Sequence, residues 1–169
     1  EFIALSDGLA VTRTSYPNAW VNIIYGCNNF CSYCIVPYVR GREISRDMNV
    51  ILDEVKKCVA EGYKEITLLG QNVNSYGNDL HIDGVNFASL LREIDKIEGK
   101  FRVRFMTSQP KDLSPEVVDV MASSKKICSN IHLPIQSGSS KVLRDMNRRY
   151  DRDHYYSLIE MLREKMPNI

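Results

Sequence analysis

Residues 19–34, AWVNIIYGCNNFCSYC, decide how the whole chain reads. A short β-rich run, AWVNIIYG, ends where three of the five cysteines, Cys27, Cys31 and Cys34, follow as C-x3-C-x2-C. A strand that delivers a reactive loop is the first half of a βα unit. The remainder of the chain repeats that unit.

Past the loop, MNVILDEVKKCVAEG (48–62) sets Ile51, Val55 and Val59 at i, i+4 and i+8, with Leu52 and Cys58 beside them and Gly62 as a stop. That spacing predicts an amphipathic helix. YKEITLLG (63–70) reads as a second strand, QNVNSYGNDLHIDGV as a polar loop, and NFASLLREIDKIEG (86–99) as a second helix. FRVRFMTS (101–108) is a third strand. LSPEVVDVMASS (113–124) is a third helix, with Ser114 as N-cap, Pro115 at the first position and Glu116 beside it. ICSNIHLPI (127–135) is expected as a fourth strand, and residues 137–146 and 151–166 as helical segments. Four βα units with long connections predict an α/β fold with a parallel sheet and right-handed crossovers, either an open doubly wound sheet or part of a barrel, since four are too few to close an eight-fold one. In such sheets ligands gather beyond the carboxyl ends of the strands. The cysteine loop, GQNVNSYG, TSQPKDL and PIQSGSS all fall there, one after each strand.

The 169 residues are one domain's worth, and 44% hydrophobic with 25% charged residues is ordinary for a globular chain. A net charge of +1 makes no case for nucleic acid by itself. The longest apolar runs are strand-sized, far short of a bilayer span, so no membrane partner is expected. The opening EFIALSDGLAV carries no basic n-region or cleavage pattern and is not read as a signal peptide. An odd number of cysteines, three of them clustered, points to metal ligation in a reducing compartment, and a cytoplasmic location is expected.

Three thiolates on one loop are one short of a structural zinc site. Cys58 reads as the buried side of a helix and Cys128 as the start of a strand, so both are expected to be core thiols. His132 falls within the fourth expected strand, while His81 and His154 have polar surroundings and read as surface positions. A [4Fe–4S] cubane normally takes four thiolates, so three leave one iron open for a ligand. A structural zinc module remains the alternative, and a ferredoxin-like carrier is disfavoured because it uses a complete thiolate set.

C-x3-C-x2-C directly after the first strand, with aromatic Tyr33 before the third cysteine, resembles the radical S-adenosylmethionine superfamily. AWVNIIYGCNNFCSYCIVPYVRGREISR, LLGQNVNSYG, RFMTSQP and HLPIQSGSSKVLRDMNRRY together resemble the tRNA methylthiotransferases, MiaB type. GQNVNSYG is the most discriminating phrase. The resemblance implies part of an open (β/α)6 barrel, with residues 20–169 as the core domain, about four units present and the chain ending before a fifth strand. Residues 1–19 are then a linker from an N-terminal domain that carries a second [4Fe–4S] cluster, and an RNA-binding module follows the core.

The same resemblance implies that S-adenosyl-L-methionine chelates the open iron through its amino and carboxylate groups. One electron, supplied by an external donor such as flavodoxin or ferredoxin, then cleaves it to a 5′-deoxyadenosyl radical. The implied reaction adds a methylthio group to C2 of an N6-isopentenylated adenosine beside the tRNA anticodon, so the implied partner is the anticodon stem-loop. A threonylcarbamoyl-adenosine tRNA or a ribosomal-protein aspartate is the alternative substrate.

By this resemblance Cys27, Cys31 and Cys34 hold the cluster and Tyr33 lies against the adenine of the cofactor. Gln71, Asn72 and Asn74 follow the second strand, where the superfamily binds the methionyl amino group, and amides there donate and accept without titrating. Loop-turn asparagines are the competing account. Ser108 and Gln109 end the third strand, and Gln136 and Ser137 the fourth; position suggests ribose or carboxylate contacts. SGSSK is read either as an anion cradle or as a helix N-cap. Arg40, Arg42 and Arg46 are expected to meet RNA phosphate or cofactor carboxylate. The second basic run, Arg144, Arg148, Arg149 and Arg152, reads as a solvated face.

Overall fold

The first strand divides in two in the computed structural model, which describes residues 12–169. β1 (Asn18–Asn22) joins the main sheet, and after Ile23 the chain peels away as β2 (Ile24–Tyr25). The linker expected over residues 1–19 lies outside the described residues as far as residue 11; residues 12–17 lead into β1, and Asn18 and Ala19 already pair within it. The cysteine loop follows and contains α1 (Val36–Val39), a single turn with Pro37 near its start. It closes on β3 (Ile44–Ser45), which pairs antiparallel with β2. This hairpin departs from the purely parallel expectation. It ties both ends of the loop together, which two-residue strands suffice to do.

α2 (Met48–Ala60) starts on Asp47, whose carboxylate accepts from the Asn49 and Val50 amides. It buries Ile51, Val55 and Cys58 against β1. β4 (Glu65–Leu69) runs parallel to β1 with Asn18 opposite Glu65 and Asn22 opposite Leu69. α3 (Phe87–Lys96) opens with a capping box between Asn86 and Ser89 and buries Phe87, Leu90, Leu91 and Ile94. β5 (Arg102–Phe105) pairs parallel with β4, so the sheet order is β1-β4-β5. α4 (Pro115–Ser123) begins on Ser114 as the sequence predicts. α5 (Ser140–Asp145) and α6 (Arg152–Lys165) complete the described chain, and α6 buries Leu158 and Leu162.

The fourth strand expected over residues 127–135 does not form. It is reduced to one parallel bridge between Val103 and Ile127. The segment still follows β5, since the Cys128 amide donates to the Val103 carbonyl at its start and Ser108 donates to the His132 carbonyl near its end. Between them the Asn130 amide turns back to the Cys128 carbonyl, and Pro134 has no amide to give. A ladder cannot run through those two positions.

The core lies between the sheet and α2, α3 and α4, with α6 packed on α4. Ile66 and Leu68 of β4 are fully buried, and Phe87 meets Phe105 edge to face with ring centroids 5.1 Å apart. Each such side chain contributes on the order of 1.5–3 kcal/mol of burial. The helices therefore cover the sheet and leave its carboxyl end to the loops. No helix among the described residues is long and apolar enough to cross a membrane.

Candidate cluster and cofactor site

Gly26 starts the cysteine loop at φ +67, and a Cβ there would stand 2.0 Å from the Arg42 carbonyl oxygen. Only glycine allows the two ends of the loop to come this close. The Cys27 amide then donates to the Gly41 carbonyl at 3.2 Å. One residue on, Asn28 and Glu43 bond reciprocally: each backbone amide donates to the other's side chain, at 3.2 and 3.3 Å. Burial pushes the Glu43 carboxyl up, against the lowering by the Asn28 amide. Phe30 takes φ +47, and Cys34 donates to the Cys31 carbonyl, so the loop turns tightly between its cysteines.

Cys27 is buried, while Cys31 and Cys34 are half-buried. Burial pushes the Cys27 thiol up, Glu43 adds to the rise, and hydrogen bonds from Asn29 act the other way. The Asn29 amide donates to Cys27 Sγ at 3.4 Å. All three cysteines line one cavity of roughly 380 Å³. Among the described residues no three His, Cys, Asp or Glu side chains are placed to share a single metal ion. A cubane gives each thiolate a different iron, so its ligands need not converge on one point. Cys58 and Cys128 are buried and neither lines the cavity.

The opposite wall comes from the other three loops. Gly70 and Gln71 follow β4, Thr107, Ser108 and Gln109 follow β5, and His132, Pro134 and Gln136 come from the irregular fourth segment. Gln71 Oε1, Ser108 Oγ and Gln109 Oε1 are buried without a hydrogen-bond partner. Such atoms cost about 1–3 kcal/mol each when left unpaired, and a polar ligand is what relieves them. Thr107 (φ +63) and Gln136 (φ +68) both sit in the left-handed region, and strain of this kind gathers at ligand sites. The Thr107 amide donates to His132 Nδ1 at 3.1 Å, so His132 acts as an acceptor within the cavity wall. The donor set thus suits a thiolate-held cluster with a polar ligand beside it.

The expected residues divide into those the cavity gathers and those it leaves aside. Cys27, Cys31, Cys34, Tyr33, Gln71, Ser108, Gln109 and Gln136 meet there. Asn72 donates to Asp112 at 2.6 Å instead. Asn74 is buried and lines a neighbouring cavity of about 290 Å³ with Asn78 and Asn86. Ser137 Oγ accepts from the Ser139 amide, and Ser139 in turn accepts from the Val142 amide at the start of α5, so the N-cap account explains SGSSK. Arg40 and Arg42 are exposed, with Arg42 over the Phe30 ring at 5.8 Å. Arg46 is a correction to its expected place on an RNA surface: it is buried and donates to the Asn22 carbonyl and to Glu54. The β2–β3 hairpin turns it inward, where its charge needs a carboxylate.

Arg148 departs from the expected solvated face. It lines the cavity, donates to the Tyr33 hydroxyl at 2.6 Å and lies 5.8 Å from that ring's centre. Its Nε is buried without a partner. Asn29 and Glu43 also escaped the sequence reading. Asn29 lies inside the cysteine motif, and that adjacency was the available signal.

The radical SAM superfamily profile matches residues 21–169. A curated relative from Carboxydothermus hydrogenoformans, tRNA-2-methylthio-N(6)-dimethylallyladenosine synthase, is 57% identical over 163 residues, covering 96% of this chain and 37% of its own length. A relative of the same name from Clostridium novyi is 58% identical and covered over 36% of its length. The chain thus spans little more than a third of these relatives. Among solved structures, the radical S-adenosylmethionine methyltransferase TsrM from Kitasatospora setae aligns with a TM-score of 0.68 at 20% identity, over 88% of this chain and 28% of that one. The cobalamin-dependent S-adenosylmethionine radical enzyme OxsB aligns with a TM-score of 0.67 at 12% identity, over 85% and 22%. These structural likenesses concern the fold. The match over residues 21–169, with three cysteines and a polar wall around one cavity, makes this chain a member of the radical SAM superfamily.

Proposed function

We propose that this chain is the radical domain of a tRNA methylthiotransferase that adds a methylthio group to C2 of an N6-isopentenylated adenosine beside the anticodon. The observation that carries the reading is the single cavity shared by Cys27, Cys31, Cys34 and the unpaired polar atoms of Gln71, Ser108 and Gln109. The names of the relatives that are 57% and 58% identical to the chain support the substrate. When bound, the cluster supplies the one electron that cleaves S-adenosylmethionine to a 5′-deoxyadenosyl radical.

The chain's own residues do the remaining work. The three cysteines would hold the metal as thiolates. Gln71, Ser108, Gln109 and Gln136 orient the amino acid and ribose ends of the cofactor, and Tyr33 covers its adenine. Asn72 and Asn74 shape the loop behind them, and Ser137 shapes the turn into α5. Arg148 offers a cation for the cofactor carboxylate. Arg40 and Arg42, with exposed Phe30 and Tyr38 beside them, form a rim that suits an unstacked RNA loop. A second cluster on another domain, an external flavodoxin or ferredoxin, and the reducing cytoplasm complete the reading.

The test compares the full-length enzyme with residues 1–169 under anaerobic conditions, with reductant, S-adenosylmethionine and isopentenylated tRNA. The full-length enzyme is expected to form the methylthiolated nucleoside and the fragment to form none. Failure of the full-length enzyme on this tRNA, with activity on another substrate, contradicts the proposal.

A further inference from the structure

The junction between α5 and α6 grips the cysteine loop from more than a hundred residues away. Asn147 Nδ2 donates to the Phe30 carbonyl at 2.8 Å and the Asn29 carbonyl at 3.4 Å. The Ser32 amide donates to the Met146 carbonyl at 3.2 Å. The aim of the Asn147 amide is set by the end of α5. Arg148 N donates to the Leu143 carbonyl, Asn147 N to the Arg144 carbonyl, and Asn147 takes φ +55. That is the Schellman helix end, where glycine is the usual residue and asparagine the tolerated one. An asparagine there keeps the helix cap and adds a side chain that can donate twice. On the far side of the contact, Phe30 holds a left-handed conformation and Asn29 presents its own amide to Cys27 Sγ.

We propose that Asn147 is a positioning residue for the cluster. By holding the Asn29 and Phe30 carbonyls it fixes the turn inside the cysteine motif, and so fixes the hydrogen bond that Asn29 gives to the Cys27 sulfur. The proposal rests on the cluster reading of the three cysteines. An N–H donor to a ligand sulfur withdraws charge from it and raises the reduction potential of the cluster. The end of α5 is thereby coupled to the cluster ligands through the backbone of the cysteine loop.

Three single variants of the full-length protein and one double variant separate this role from helix capping. Asn147→Gly keeps the left-handed cap and deletes only the amide, Asn147→Asp replaces the donor with an acceptor, and Asn29→Ala removes the sulfur's hydrogen bond directly. In the metal-free protein, Asn147→Gly is expected to speed amide hydrogen exchange at Cys27, Ser32 and Cys34 about tenfold or more while α5 and α6 keep their protection. Asn147→Asp should do at least as much. In the loaded protein, Asn147→Gly and Asn29→Ala should each move the midpoint potential to more negative values, and the double variant no further than Asn29→Ala alone. Unchanged exchange in the loop, equal loosening of α5, α6 and the loop, or additive potential shifts would each overturn the proposal. If the wild-type protein takes up no iron, the cluster reading fails, while the exchange measurement still decides whether Asn147 holds the loop.

Discussion

At the scale of single residues, the unpaired atoms are the most informative feature. Gln109 is almost fully buried, and its Oε1 has no partner. An apolar side chain of similar size removes that cost and also removes the ligand's acceptor. Gln109→Leu should therefore raise the stability of the metal-free protein by about 1 kcal/mol and weaken S-adenosylmethionine binding about tenfold. Thermal unfolding and equilibrium dialysis read the two effects; unchanged cofactor affinity would place Gln109 outside the binding site. The gathering of the cysteine trio at one cavity was legible because its three members are neighbours in sequence. Asn147 and Arg148 were not, because their roles depend on a helix end that meets the loop across 115 to 118 residues. Arg46 misled for a related reason: in RGREISR it looks like its neighbours, and only the hairpin turns it toward Glu54.

At the scale of elements, apolar periodicity located α2 and α3 and the Ser114 cap located α4; the Asp47 and Asn86 caps that start α2 and α3 emerge only in the structure. The failed fourth strand had the right composition, but a strand also needs successive amides free to pair, and Asn130 and Pro134 deny that. The two-residue hairpin was too short to leave a period-2 signal. It is stapled to the loop after β4. The Tyr76 hydroxyl donates to the Arg46 carbonyl at 2.9 Å, the Gly77 amide donates to Ser45 Oγ, and Ser45 N donates to Asp79. The phrase GQNVNSYG thus fastens the frame of the cysteine loop as well as lining the cavity.

Burial pushes the Tyr76 hydroxyl well above its ordinary value. A raised value in the folded state means that its stabilising share is present below the unfolded value. That share is lost as pH rises past about 10, at up to about 1.4 kcal/mol per pH unit. Tyr76→Phe should cost about 1 kcal/mol at neutral pH and flatten the loss above pH 10, as measured by urea unfolding across pH. An equally steep alkaline slope in the variant would show that Tyr76 does not titrate with unfolding.

At the scale of the molecule, the βα order and the convergence of four loops on one end of the sheet were legible, because connection length and strand polarity constrain both. The first basic run was expected at the surface, and two of its three arginines, Arg40 and Arg42, lie there while Arg46 is buried. Arg40 and Arg42 stand exposed beside Tyr38 and Phe30, a pairing of cations and aromatic rings that suits unstacked RNA. In the full-length enzyme, Arg40→Ala with Arg42→Ala should weaken tRNA binding and reduce the slope of log affinity against log salt by about 1.4, the release expected for two phosphate contacts. A slope equal to the wild type would move the RNA elsewhere.

Anaerobic reconstitution of residues 1–169 with iron and sulfide, followed by metal and acid-labile sulfide analysis, should give about four irons and four sulfides per chain, with uptake lost when Cys27, Cys31 and Cys34 are replaced by alanine. A colourless protein that binds no iron, or one that retains a single zinc, would contradict the cluster reading.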